Sequence, residues 1–295
     1  MSRKFAHLDF DYLRGPSPAI WKTIPDGMAD LGYGGVHFFD DFLDAWSLSG
    51  VTTAAQYNKY LIYSDTGQTL ASGTDVVVTD PSTLTAATDD AAAGYDTDTD
   101  WDVGTLVMAG DATDEDESSI RTSASFIINK LSLKKLAFEF RFKTETVANA
   151  NHSLFIGLSD TVPADSALTD ATGDLAAADN VLGFLVDIAD GDALRPVYQA
   201  GSQTQQLKGT AAMTADKYIK AGFLLDVGSP NPSKRGKFFI NGVEQTTYIT
   251  QANFEAATFP NDIAMGLGFY RKLPTAADVD YTLDWWKIFM EVDRV

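Results

Sequence analysis

The chain has no cysteine among its 295 residues. That excludes disulfides, thiolate metal sites and cysteine nucleophiles together, and it leaves the redox compartment open. No apolar run approaches the ~20 residues that a bilayer-crossing helix needs. The basic start Met1-Ser2-Arg3-Lys4 is followed by Asp9, Asp11 and Arg14 rather than by an apolar core, which argues against Sec export. Lys and Arg are missing from residues 60–120, a stretch with fourteen acidic residues. Helical periodicity is also missing beyond a turn or two.

The formal charge is −19. Such a field disfavours nucleic acid and anionic membrane as partners, and it favours solubility or a basic or cation-bridged partner. Most of the acid is Asp, a turn and loop residue, which points to many loops and few helices. The apolar fraction of 45 %, with Phe 18, Tyr 11 and Trp 5, is ample for a large core and excludes global disorder.

What is present is alternation. Leu136, Phe138, Phe140 and Phe142 alternate with Ala137, Glu139, Arg141 and Lys143. Leu154/Ile156/Leu158, Leu182/Phe184/Val186/Ile188, Ile219/Ala221/Phe223/Leu225 and Met265/Leu267/Phe269 repeat the period of two. Asn241-Gly242 between Lys237-Phe-Phe-Ile240 and Val243 onward predicts a hairpin, because both residues tolerate the positive φ of a type I′ turn. Val36–Phe42, Asp75–Thr79, Gly104–Met108 and Tyr281–Met290 read as further strands, with an Ala/Asp/Thr-rich loop at about 81–100. Residues 161–180 read as a surface loop with a short helical turn at 174–178. Strands separated by polar breaks predict an all-β, antiparallel β-sandwich. Residues 1–35 form an extended N-terminal arm and residues 36–295 one sandwich domain.

The arm sets large apolar residues among turn signals (Gly15-Pro16-Ser17-Pro18, Ile24-Pro25-Asp26-Gly27). Its anchors are Phe5, Phe10, Tyr12, Ile20 and Trp21, with Leu8 and Leu13 beside them. It reads either as a strap across its own domain or as an arm that reaches a neighbouring subunit. Lys234, Arg235 and Lys237, within Gly228–Lys237, form an exposed basic loop suited to an acidic patch on a neighbour. That loop lacks the phosphate-loop spacing, and its prolines remove backbone donors.

Reactive constellations are not apparent in the sequence. The strand carboxylates Glu139 and Glu145 lack the partner two residues on that paired-carboxylate glycoside hydrolysis requires, and Glu139 reads as a solvated strand position. His7, His37 and His152 have no ligand spacing, and no G-x-S-x-G elbow exists. Asp96-Thr-Asp-Thr-Asp-Trp-Asp102 would, if extended, aim four carboxylates to one side and could take Ca²⁺. Trp101 stands where an EF-hand loop requires Gly, however, and a solvated loop is the alternative. Asp114-Glu-Asp-Glu117 reads as a charged turn. Trp285 and Trp286 must face opposite ways, one into the core and the other outward or beneath a covering segment.

Taken in order, Phe39-Asp-Asp-Phe42, Leu136–Lys143, Leu154-Phe-Ile-Gly-Leu-Ser-Asp160, Val181–Val186, Lys237-Phe-Phe-Ile-Asn-Gly-Val243 and Tyr281-Thr-Leu-Asp-Trp-Trp-Lys-Ile288 resemble the concanavalin-like (laminin-G/lectin-type) jelly rolls of tailed-bacteriophage virions. The resemblance covers residues 36–292. It implies a non-enzymatic virion structural protein, a capsid decoration or head-associated protein on the capsid surface, made in the host cytoplasm. It further implies a homo-oligomer bound to the major capsid protein or other virion proteins. A glycan-binding, lectin-like module of a phage tail is the alternative, and a polysaccharide hydrolase the third.

Overall fold

The computed structural model describes residues 15–22, 24, 35–42, 46–49, 55–57, 60–64, 69–73, 105–109, 117–148, 152–161, 167–169, 174–177, 179–189, 191–272 and 279–293. A four-residue helix α1 (Pro18–Trp21) opens it, with proline at its start, where a missing N–H costs nothing. The first strands are β1 (Gly35–Asp40), β2 (Trp46–Ser49), β3 (Ala55–Tyr57), β4 (Tyr60–Ser64), β5 (Thr69–Gly73), β6 (Thr105–Ala109), β7 (Glu117–Thr122) and β8 (Phe126–Ile128). Next come β9 (Leu133–Thr144), β10 (Ser153–Ser159), β11 (Val181–Val186), β12 (Ala193–Gln199), β13 (Gln206–Leu207) and β14 (Ala211–Ala212). The chain ends with β15 (Ile219–Asp226), β16 (Gly236–Ile240), β17 (Val243–Ile249), helix α2 (Gln251–Glu255), β18 (Ile263–Lys272) and β19 (Tyr281–Val292).

These strands make two antiparallel sheets. The first runs β17-β16-β15-β9-β19-β6-β5-β2, with β1 also on β19. The second runs β13-β12-β11-β10-β18-β7-β4-β3, with β14 on β12 and β8 on β18. Hence β19 shares its far edge between β6, at Tyr281–Leu283, and β1, at Trp286–Glu291.

The alternating residues fill the space between the sheets. Phe138 and Phe140 of the first sheet meet Phe184 of the second edge-on, at 6.4 and 5.4 Å between ring centres, and Phe142 meets Phe269 at 6.1 Å. Trp286 packs with Phe42 and Tyr60 at 5.6 and 5.8 Å. Phe42 holds a positive φ of 52°, and its N–H donates to Asp40 Oδ1 (2.9 Å), so the buried carboxylate that ends β1 turns the chain and plugs that aromatic ring into the core.

The predicted Asn241-Gly242 hairpin is present, with φ of 49° and 76°, joining β16 to β17. Three expectations are corrected. Ile188 is a half-buried turn residue, because the strand stops at Val186. No helical turn forms at 174–177; Leu168 and Leu175 instead pair as an antiparallel bridge, and both bury with Phe155, Leu185 and Tyr270 on the outer face of the second sheet. Glu117 lies in β7 rather than in a charged turn, buried against Lys272 at 3.1 Å. Asp75–Thr79, the 81–100 loop, Asp96–Asp102, Asp114–Asp116, His7, Phe5, Phe10 and Tyr12 lie outside the described residues.

Candidate functional site

Cross-strand register sorts the outer face of the first sheet into rows over β15, β9 and β19. One row is Leu224–Ala137–Phe289, the next Gly222–Glu139–Lys287. The segment 15–24 lies over them. Ile20, Trp21 and Ile24 bury with Ala137, Leu224, Phe239 and Phe289. Ile20 sits in the notch left by Gly222, where an added Cβ would stand 2.3 Å from the isoleucine Cδ1.

Glu139 is the fastening. It is 1 % exposed, not solvated as its place on the polar side of β9 suggested. The Ser17 backbone N–H and the Trp21 indole N–H both donate to its Oε2, at 2.8 and 2.7 Å. Burial pushes the Glu139 carboxyl above its ordinary range, against the Ser17 and Trp21 hydrogen bonds and the Lys220 charge, which pull it down. Lys220, equally buried, donates to the Gly15 carbonyl at 2.8 Å. Lys287 Nζ caps the Trp21 ring at 4.3 Å.

Two of the five predicted arm anchors, Ile20 and Trp21, are therefore seated on their own domain and present little surface to a neighbour. The outward tryptophan, Trp285, is covered too, beside Phe39 of β1 at 6.4 Å. The predicted basic loop is likewise engaged within the chain. Lys234 donates to Tyr248 Oη (2.7 Å), Lys237 pairs with Glu244 (2.9 Å), and Arg235 donates to Gln251 Oε1 (2.5 Å) and to the Val227 and Ser229 carbonyls. Burial alone would raise the Glu244 carboxyl, but Lys237, Tyr248 and Lys234 together hold it below its ordinary range. Lys234 and Lys237 brace the hairpin through Glu244 and Tyr248 of β17, and Arg235 ties the loop before it to Gln251.

Other charged groups on the sheets follow the same pattern. Arg141 pairs with Asp284 at 2.5 Å and stacks on Tyr218 at 3.7 Å, and Arg195 pairs with Asp187. Buried His152 contacts the Tyr281 hydroxyl through Nδ1, and burial lowers its pKa to about 4 against a backbone contact at Gly191. Among the described residues no three His, Asp or Glu side chains gather to hold a metal ion. No described helix is long and apolar enough to cross a membrane.

One opening differs. At the end of the same outer face, a cleft of about 480 Å³ is lined by Lys130, Lys134, Lys135, Asp226, Glu291 and Asp293, with Leu131, Leu133 and Val227 as its apolar residues. Sequence reasoning missed both the Glu139 fastening and this cleft. Each depends on which strands are neighbours, and alternation within one strand does not carry that information.

No protein-family model matches the sequence, and no curated protein matches it. Solved structures do. A protein of unknown function from Shewanella oneidensis MR-1 superposes with a TM-score of 0.53 at 14 % identity, over 90 % of this chain and 91 % of its own. Peanut lectin, crystallised with a nine-residue peptide, also gives 0.53, at 11 % identity over 89 % of this chain and all of its own. The fold is a lectin-type jelly roll. At such identities the likeness concerns architecture, and the jelly roll hosts many functions.

Proposed function

We propose that this protein is a non-catalytic structural component of a macromolecular assembly, and that the assembly is the tailed-phage virion to which its sequence motifs point. In that reading it is a capsid decoration or head-associated protein on the particle surface, bound to the major capsid protein or to copies of itself. The observation that carries the reading is the use made of buried and half-buried charge. Glu139, Lys220, Arg141, Lys272, Arg195 and Arg235 each fasten one segment of the sandwich to another. Acid–base catalysis needs such groups to converge on an opening within reach of a reacting atom, and a rigid module needs them as they stand. Binding would then use the remaining anchors, Phe5, Phe10 and Tyr12, together with the β1 edge, where Phe39 is 45 % exposed.

The test is co-sedimentation of the purified protein with particles that lack it, alongside turnover assays on laminarin, agar, alginate and peptidoglycan. Saturable particle binding without turnover is expected. Hydrolysis abolished by replacing a single carboxylate, or absence of particle binding, would overturn the reading.

A further inference from the structure

Among the described strands, β1 is the edge best built to accept another strand. Within that set only β19 pairs with it, through six consecutive positions from Gly35↔Glu291 to Asp40↔Trp286, with no register shift. The other sheet ends are short or irregular: β2 has four residues, β3 three and β13 two, and β17 slips register against β16. β1 reads Gly-Val-His-Phe-Phe-Asp, without the lysine or proline that guards an edge against pairing. Val36 faces the core side, opposite buried Met290, yet is 36 % exposed, and Phe39 on the outer side is 45 % exposed. The core is therefore open along this edge.

A matching strand is written in the same chain. Ala6, Leu8, Phe10 and Tyr12 alternate with His7, Asp9 and Asp11, a period of two with one apolar side. The β1 edge of its own copy is out of its reach. Trp21 lies beside His37 of β1, with ring centres 6.3 Å apart, and the chain upstream of Trp21 runs away from that edge. Gly15 accepts from Lys220 of β15, and Ser17 Oγ lies 3.2 Å from where a Cβ on Gly242 would stand, at the β16–β17 tip. Counting from β15 over β9, β19 and β1, a strand added outside β1 is four sheet spacings away, about 19 Å. The three residue steps from Tyr12 to Gly15 span at most about 11 Å. The direct way back is also taken, because residues 17–24 occupy that face.

We propose that residues 6–12 of one copy add as a strand to the β1 edge of a second copy, so that the partner is this chain itself. The inference rests on the outward role given above to residues 1–14 and the β1 edge, and it names what meets what. Turned with Leu8, Phe10 and Tyr12 on the side of Val36, the donor strand closes the rim of the core while its main chain takes up the ladder. Asp9 and Asp11 then stand on the outer side, where β1 presents His37 and Phe39 and no carboxylate.

The experiment is sedimentation equilibrium of the full chain, of Phe10→Pro, of Phe39→Lys and of an equimolar mixture of the two variants. Proline removes a ladder donor from the arm, and lysine guards the edge. The full chain is expected to self-associate, and each variant alone to do so more weakly by about tenfold or more. The mixture is expected to regain heterodimers, since Phe39→Lys brings an intact arm and Phe10→Pro an intact edge. Amide hydrogen exchange at residues 36–40 is expected to be slower in the full chain than in Phe10→Pro, and it decides the matter should Phe39→Lys fail to fold. A monomeric full chain, undiminished association of either variant, a mixture without heterodimers, or equal exchange would each overturn the inference. A monomer that still co-sediments with particles would overturn it and leave the assembly role standing.

Discussion

Two buried side chains, Glu139 and His152, tie proton uptake to stability with opposite signs. Burial raises the Glu139 pKa, so the folded protein holds that proton more tightly than the unfolded chain does. Stability from this group is present at acid pH and is lost as pH rises through the folded pKa. For His152, burial lowers the pKa from 6.5 to about 4, so the folded protein rejects a proton that the unfolded chain accepts. Its contribution is present above pH 6.5 and is lost as pH falls toward 4, by about 1.4 kcal/mol per pH unit at most. Urea denaturation at pH 4.5, 5.5 and 7.5 separates them. His152→Gln is expected to flatten the acid-side loss, while Glu139→Gln is expected to compare best with the unsubstituted protein at the highest pH. Identical pH profiles for all three proteins would contradict both assignments.

At the scale of elements, the strands with strict alternation were legible from the sequence because their inner positions are uniformly apolar and, Ala221 apart, large. That regularity is what β9, β10, β11, β15 and β18 share. The hairpin was legible because Asn-Gly has few other uses. What covers the outer faces was not. Ala137, Glu139, Arg141 and Lys143 look like a solvated side of a strand, yet all four are buried. The hint available was apolar residues on the outward side of neighbouring strands, Leu224 and Phe289, which need a cover. That cover is held by side chains and by one notch, so Gly222→Ala tests it. A methyl group there meets Ile20 Cδ1 and must displace it, since that distance is far inside van der Waals contact. Red-shifted Trp21 fluorescence and faster proteolysis after Lys22 are expected, with little change in the β-sheet circular dichroism. An unchanged emission spectrum would show that the notch is not what seats the segment.

For the whole molecule, the covered outer face divides the N-terminal region into two parts with different expected roles. Residues 15–24 complete the sandwich, because removing them exposes Ala137, Leu224, Phe239 and Phe289 and takes away the hydrogen bonds that Ser17 and Trp21 give to Glu139 and that Gly15 accepts from Lys220. Each large side chain seated there is worth about 1.5–3 kcal/mol of burial, and each lost hydrogen bond to a charged group about 1.5–3 kcal/mol more. Residues 1–14 hold Phe5, Phe10 and Tyr12, the anchors assigned here to a neighbouring molecule. Two truncations therefore diverge. Deleting 1–14 is expected to leave the thermal midpoint nearly unchanged while weakening particle binding or self-association by about tenfold, the equivalent of one lost anchor. Deleting 1–24 is expected to lower the midpoint sharply and to promote aggregation through the exposed apolar face. Equal particle binding by the full chain and the 1–14 deletion would remove those anchors from the interface and leave the exposed β1 edge, at Val36 and Phe39, as the surface on which assembly depends.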